Sequence, residues 1–89
     1  MIYNLYAIYD KDAEEYGPLF NAKNALIASR YVEEMIKEVK NVDPYALYRM
    51  GEYDTEKGIT ESCVVFVGDC SEMVKNHEES IEWVFLVLF

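Results

Sequence analysis

The stretch YALYRMGEYDTEKGITESCVVFV, residues 45–67, consists of two strand-like runs joined by a polar loop. Residues 45–53 alternate between the two faces of an extended chain, and residues 59–67 are rich in β-branched side chains. The loop ends in Gly58, a residue type that adopts the left-handed backbone conformation of tight turns without steric cost. We therefore predict a β-hairpin with arms at 45–53 and 59–67.

A third strand-like run, IYNLYAIY, occupies residues 2–9. Its residues are almost all β-branched, aromatic or aliphatic, which predicts a central strand that is covered on both faces. The acidic segment that follows ends in the turn signal Gly17-Pro18. Leu19 and Phe20 then form either a short strand or an apolar contact that fixes the start of a helix.

Residues 21–40 change to helical periodicity. Asn21 is the expected N-cap, and Asp43-Pro44 marks the stop because the residue before a proline is pushed out of the helical region. Charged residues fill the opposite face, so we predict one long amphipathic helix. Its apolar stripe comprises Ala25, Ala28, Val32, Met35, Ile36 and Val39.

The last third is predicted to hold a short helical segment at 72–79 and a strand-like apolar segment at 81–89. Together these elements predict a single α+β domain over residues 1–89. It would have a small, mainly antiparallel sheet of about four or five strands and one long amphipathic helix packed on one face.

Composition limits the classes of function. The chain has 89 residues, 52% of them hydrophobic and 15% aromatic, which predicts a folded domain. Its net charge of −9 disfavours nucleic-acid binding, because affinity for phosphates depends on clustered Lys and Arg. The negative charge favours a protein partner over a nucleic acid.

Nothing in the sequence predicts membrane association. The longest uninterrupted apolar run, residues 83–89, is shorter than the roughly 20 residues that span a bilayer. The first residues also lack a signal-peptide pattern.

Candidate chemistry is scarce. Cys63 and Cys70 are the only cysteines, and His77 is the only histidine. A catalytic pair of Cys63 and His77 is disfavoured because Cys63 sits within a strand-like apolar run. Residues 10–14 match the start of a calcium loop, but Glu15 stands where the loop needs glycine and Asn21 where it needs a bidentate carboxylate. We therefore predict a non-enzymatic protein with no catalytic, cofactor or metal residues.

Tyrosines are the most distinctive feature, since all eight lie between residues 3 and 53. On predicted strands they favour either cross-strand packing or an interaction surface, with protein contact favoured over base stacking because no basic groove accompanies them. The candidate surface comprises Tyr3, Tyr6, Tyr9, Tyr45, Tyr48 and Tyr53.

The apolar run at the end of the sequence would promote aggregation if it were exposed. We expect it to form a sheet edge or a dimer interface, and we therefore expect a homodimer. The residues assigned to this segment are Trp83, Phe85, Val87 and Phe89.

Several short motifs resemble those of a known family. They are YAIYD at 6–10, AEEY at 13–16, GPLF at 17–20, DPYALY at 43–48, GEYD at 51–54 and Gly58-Ile59. Together they are similar to the small nonstructural protein of gokushovirus-type microviruses, which are single-stranded DNA phages. The resemblance covers about residues 5–60 and excludes the divergent acidic and apolar tail at about 70–89.

The resemblance implies a phage nonstructural accessory protein that acts in the host cytoplasm and regulates viral DNA replication or packaging. We expect it to act through contacts with a viral replication or capsid-assembly component, or with a host protein. Two alternatives remain open. One is a single-stranded DNA-binding module that uses a tyrosine-rich sheet face, and the other is an acidic inhibitor of a host nucleic-acid-binding protein.

Overall fold

The computed structural model describes residues 1–73. A five-stranded antiparallel sheet dominates this part of the chain and curls into a half-barrel. The elements in chain order are β1 (Ile2–Asp10), β2 (Glu15–Tyr16), β3 (Phe20–Ala22), α1 (Ala25–Ile36), β4 (Tyr45–Asp54) and β5 (Gly58–Asp69).

β1 occupies the centre of the sheet. It pairs along its whole length with β4, from Ile2 opposite Asp54 to Asp10 opposite Tyr45. Its other edge pairs with β2 and, nearer its start, with β3. β5 completes the order β2-β1-β4-β5. The predicted central strand and the predicted hairpin, now β4 and β5, are both confirmed as elements. The prediction that β1 is covered on both faces is wrong, because α1 packs on only one of them.

The two faces of the sheet differ in what covers them. On one face, α1 buries Ala28, Val32 and Ile36 in a core that also contains Tyr6 and Leu47. Phe20, Val42 and Val67 pack against this core and remain partly exposed. Because side chains alternate along a strand, Tyr9 and Tyr48 project from the opposite face, which we call the outer face. This core lies on the α1 side, whereas Ala7 and Ala46, which share the face of Tyr9 and Tyr48, are buried on the outer face.

The predicted α+β class with one long helix packed on the sheet is wrong. Strands make up 49% of the described residues and helix only 22%. α1 has 12 residues and ends at Ile36, although the periodicity predicted a helix to Lys40. Between Lys37 and Lys40 only Val39 is apolar, and it is exposed, so a further turn would bury nothing.

The start of the helix also differs from the prediction. Asn24 is the N-cap, and its side-chain oxygen accepts a hydrogen bond from the Ile27 N–H at 3.0 Å. Asn21, the expected cap, lies in β3 opposite Leu5 of β1. The segment around it is extended because β1 offers it a strand to pair with, a long-range contact that helical periodicity cannot reveal. The stripe residues Ala25, Met35 and Val39 are exposed.

Two predictions concern the end of the chain. A helical turn begins at Cys70 and continues to Met73, the last described residue, whereas the prediction placed a helical segment at 72–79. Most of that segment, and the predicted strand at 81–89, lie outside the described residues.

Candidate functional site

The structure divides the six predicted surface tyrosines into three groups. Tyr6 is only 2% exposed and belongs to the core, and Tyr45 packs against that core. Alternation along the strand turns both side chains toward α1, so Tyr6 is closed to solvent while Tyr45 stays partly exposed. Tyr9 and Tyr48 project from the outer face. Tyr3 and Tyr53 lie opposite each other near the start of β1.

Tyr9 and Tyr48 form part of an aromatic cluster that sequence reasoning only half identified. Tyr16 lies with its ring centroid 4.6 Å from that of Tyr9 and 5.7 Å from that of Tyr48. Phe66 lies 5.7 Å from Tyr48 in an edge-to-face arrangement. We call Tyr9, Tyr16, Tyr48 and Phe66 the outer aromatic cluster. Rings in this geometry stabilise one another while keeping part of each ring exposed.

The strands explain why these rings meet. Tyr16 is directly opposite Tyr9 in the β1–β2 pair, and Phe66 is directly opposite Tyr48 in the β4–β5 pair. Tyr16 and Phe66 were missed because their positions depend on strand register, which is set by turns and bulges rather than by local sequence. They are also the more open members, with 42% and 53% of their surface exposed.

A polar cluster ties three strands together on the α1 side of the sheet. Arg49 of β4 donates from Nη1 to Glu61 Oε1 of β5 at 3.0 Å and from Nε to Asn4 Oδ1 of β1 at 3.1 Å. The same Nη1 lies 3.2 Å from the sulfur of Cys63. The hydrogen bond between Arg49 and Glu61 raises the pKa of Arg49 and lowers the pKa of Glu61. These contacts join β1, β4 and β5 and so support the sheet.

The cysteines offer no visible catalytic arrangement within the described residues. Cys70 is completely buried, and burial raises the pKa of its thiol to about 11, so the thiol stays protonated at neutral pH. Cys63 is half-buried beside Arg49. His77 lies outside the described residues, so its distance from Cys63 is not defined.

The acidic segment after β1 is a tight turn. The Asp10 carboxylate accepts hydrogen bonds from the backbone N–H groups of Asp12 and Ala13 at 3.0 and 3.2 Å. Lys11 reaches across to Asp69, with 3.2 Å between Nζ and Oδ1. Within residues 1–73, no group of three or more Cys, His, Asp or Glu side chains is placed to hold a metal ion.

An apolar groove lies between α1 and the hairpin end of the sheet. It has a volume of about 670 Å³. A second depression of about 470 Å³ adjoins it and shares Leu5, Leu19 and Ile59 with it. We call the two together the apolar groove. Its lining also includes Tyr31 and Met35 of α1, Tyr53 of β4, and Met50 and Val64 near the β4–β5 bulge.

The sheet-edge residues Trp83, Phe85, Val87 and Phe89, assigned from sequence, lie outside the described residues. In the part of the chain that the structure describes, no helix is long and apolar enough to cross a membrane.

Comparison with known proteins shows which family this chain belongs to. The sequence model of the family described as Phage ORF5 protein matches residues 3–73. The chain belongs to the Phage ORF5 protein family. The match extends from β1 to the turn after β5, so the family segment contains both the outer aromatic cluster and the apolar groove. No curated protein and no solved structure matches the chain.

Proposed function

We propose that this member of the Phage ORF5 protein family is a non-enzymatic accessory protein that acts through protein contacts made by its outer aromatic cluster. The observation that carries the proposal is the exposure of Tyr16 and Phe66 beside Tyr9 and Tyr48 on the face that α1 leaves uncovered. Aromatic side chains bury a large area at little entropic cost, and they are enriched where proteins bind one another.

We further propose that the phage is a gokushovirus-type microvirus and that the contacts regulate replication or packaging of its DNA in the host cytoplasm. The motifs at 6–10, 17–20 and 51–54 support the viral group. The partner would be a viral replication or capsid-assembly component, or a host protein. A net charge of −9 supports a protein partner over a nucleic acid.

The test is recovery of the partner from infected cells with tagged wild-type protein and matched variants. Phe66→Ser combined with Tyr16→Ser removes the two most open rings, whereas Leu26→Ser removes an apolar side chain of similar exposure on α1. We expect one viral replication or capsid-assembly protein to be recovered with wild type and Leu26→Ser, and roughly tenfold less of it with the double variant.

Circular dichroism of each variant shows whether it is folded before the comparison is made. Equal recovery with the double variant would contradict a role for the outer aromatic cluster. Recovery of a host nucleic-acid-binding protein instead of a viral one would support the acidic-inhibitor alternative.

Single-stranded DNA binding remains the second candidate, because the outer aromatic cluster could stack bases. The cations near it argue against this function: Lys11 is paired with Asp69, and Arg49 lies on the other face paired with Glu61. We expect no change in the fluorescence anisotropy of a labelled oligothymidine at about 20 mM salt, where phosphate contacts are strongest. An increase that the double variant abolishes would favour the DNA-binding alternative.

We also propose a homodimer. Val64, Val65 and Phe66 are consecutive exposed apolar residues in β5, which is one of the edge strands in the described part of the sheet. Consecutive apolar residues cover both faces of a strand, a pattern typical of strands inside a sheet rather than at its edge. Sedimentation velocity should give twice the chain mass for wild type, and a monomer at all concentrations would exclude this proposal.

A further inference from the structure

β5 leaves one edge and both faces of its middle open to solvent. It pairs with β4 along one side, and no described strand pairs with the other side. Phe66 is opposite Tyr48, so Phe66 and Val64 lie on the outer face, whereas Val65 is opposite Arg49 on the α1 side. The three apolar side chains are between 49% and 61% exposed. A strand of 12 residues with such a free edge is a template for pairing with another strand.

The chain continues from the end of β5 that lies far from the β4–β5 turn. A helical turn begins at Cys70 directly after the strand, and Met73 packs back against the core beside Gly68. Residues 74–89 follow and lie beyond the residues that the family model matches. They include IEWVFLVLF at 81–89, of which the last seven residues are all apolar. The described chain therefore ends next to one end of the free edge.

We propose that residues 81–89 of the same chain pair with the free edge of β5 as a sixth, antiparallel strand. The seven residues 74–80 span at most about 25 Å, several times the roughly 4.8 Å between neighbouring strands, so they allow the chain to reverse direction. Nine residues of strand extend about 30 Å, which is enough to run from the Asp69 end of β5 past Val64.

The pattern of the segment matches both faces of β5. Residues 83–89 are apolar at every position, so a strand formed by them presents apolar side chains on both faces. It would cover Val65 on one face, and Val64 with Phe66 on the other. An amphipathic strand, in which apolar and polar residues alternate, would cover only one of these faces. Residues 83–89 also carry no charged side chain that would lose its hydration at the strand edge.

A tethered segment also has an advantage over a second copy of the chain for the same edge. Its effective concentration is about millimolar for a short flexible connection, whereas a second copy is present only at its concentration in solution. The homodimer proposed above then forms at the edge of residues 81–89 that faces away from β5, because these residues repeat the consecutive apolar pattern of β5. This last step rests on the proposed homodimer, and the pairing of residues 81–89 with β5 does not depend on it.

Cys63 gives β5 a natural position for a cross-linking test. Single cysteines are introduced in a Cys70→Ala background, and each variant is oxidised mildly with oxidised glutathione. Paired residues face the same side of a sheet and successive residues face opposite sides, so Cys63 should form disulfides at alternate positions only, among either 84, 86 and 88 or 85 and 87. Mass spectrometry should place each disulfide within one chain. The five variants are Val84→Cys, Phe85→Cys, Leu86→Cys, Val87→Cys and Leu88→Cys.

The pattern of cross-links decides which segment occupies the edge. Cross-linking at every position, or at none, would contradict the pairing of a strand with β5. A cross-link between two chains would overturn the proposal, because it would identify a second copy as the occupant, and it would support the homodimer. A cross-link within one chain, in a protein that sediments as a monomer, would uphold the pairing and refute only the homodimer.

Hydrogen exchange provides a second measurement that needs no added cysteine. Only alternate amide N–H groups of β5 point toward β4, so the others exchange quickly unless a further strand accepts them. In wild type we expect protection at consecutive residues from Val64 to Phe66. Leu86→Pro removes a backbone N–H from the middle of the proposed strand and should speed exchange of the outward amides at least tenfold, whereas Leu86→Ala should change it less than threefold.

The same measurement shows whether both variants are folded, because the amides between β1 and β4 should stay protected in each of them. Outward amides of β5 that exchange equally fast in wild type, Leu86→Pro and Leu86→Ala would refute the proposal.

Discussion

Gly51 lies where a side chain on β4 would collide with the backbone of β5. The β4 strand carries one extra residue here, Met50, between the partners of Leu5 and Tyr6 in β1. Gly51 has a φ of 150°, and a Cβ built on it would lie 2.1 Å from the backbone carbonyl oxygen of Glu61. Because the obstructing atom belongs to the backbone, no side-chain rotation could relieve this contact.

Gly51→Ala should therefore destabilise the fold by about 2 kcal/mol or more, measured as a lower midpoint of urea unfolding. Gly17→Ala is the matched control, because its added Cβ would meet the Ile8 carbonyl oxygen at an ordinary 3.5 Å. That control should change stability by less than about 1 kcal/mol. Equal effects of the two substitutions would show that Gly51 is not sterically required.

Ionisation of Cys70 should lower the stability of the fold at alkaline pH. Burial raises the pKa of its thiol from 9.0 in the unfolded chain to about 11 in the folded protein. The folded state therefore binds the proton more tightly, so this contribution to stability is complete below pH 9 and is lost as the pH rises from 9 to 11.

Urea unfolding at pH 8 and pH 11 should accordingly show a smaller alkaline loss of stability in Cys70→Ala than in wild type. The comparison is a difference between two proteins with the same tyrosines and lysines, so the titration of those groups cancels. An identical loss in both proteins would show that Cys70 ionises as easily in the folded state as in the unfolded one.

At the scale of elements, α1 shows what local sequence can and cannot predict. Its periodicity correctly indicates a helix that buries Ala28, Val32 and Ile36. Its start was predicted three residues too early, because Asn21 and Asn24 are equally good caps and the pairing of β3 with β1 decides between them. No window of local sequence contains that pairing partner.

The cap assignment can be tested with a matched pair of substitutions. Asn24→Ala should lower stability by about 1 kcal/mol in urea unfolding, because the Ile27 N–H loses its acceptor at the helix start. Asn21→Ala removes an exposed amide from β3 and should change stability by less than about 0.5 kcal/mol. The reverse ranking would mean that the helix begins where the sequence first indicated.

The candidate surfaces were predicted only in part, because they too depend on strand pairing between distant parts of the chain. The sequence placed Tyr9 and Tyr48 on predicted strands without separating them from Tyr6 and Tyr45, and it could not place Tyr16 or Phe66 beside them. The apolar groove was not predicted, since it combines residues from α1, β1, β4 and β5. Local patterns indicate which face a residue occupies, whereas the neighbours of that residue depend on register and on the curl of the sheet.

At the scale of the whole molecule, charge opposes compaction. The net charge is −9, and the ion pairs among residues 1–73 are all at least partly open to solvent. Exposed pairs contribute little to stability, so repulsion among the remaining carboxylates is the larger electrostatic effect.

Raising NaCl from about 20 to 200 mM should therefore raise the thermal unfolding midpoint by a few degrees, because the screening length falls toward about 8 Å. Glu56 is an exposed carboxylate that forms no ion pair with any described residue. In the Glu56→Gln variant, the unfolding midpoint should rise less over the same range of salt. A midpoint that falls with salt would show that the ion pairs outweigh the repulsion.

The central position of β1 affects how the chain folds during synthesis. β2 and β3 follow β1 closely and can pair with it early, whereas the partner of Ile2 is Asp54. At roughly 5–20 residues per second, the ribosome needs several seconds to complete β4 after β1 emerges. During that interval one edge of an apolar strand stays open to chaperones and to neighbouring nascent chains, so slower translation before residue 54 should lower the yield of folded protein.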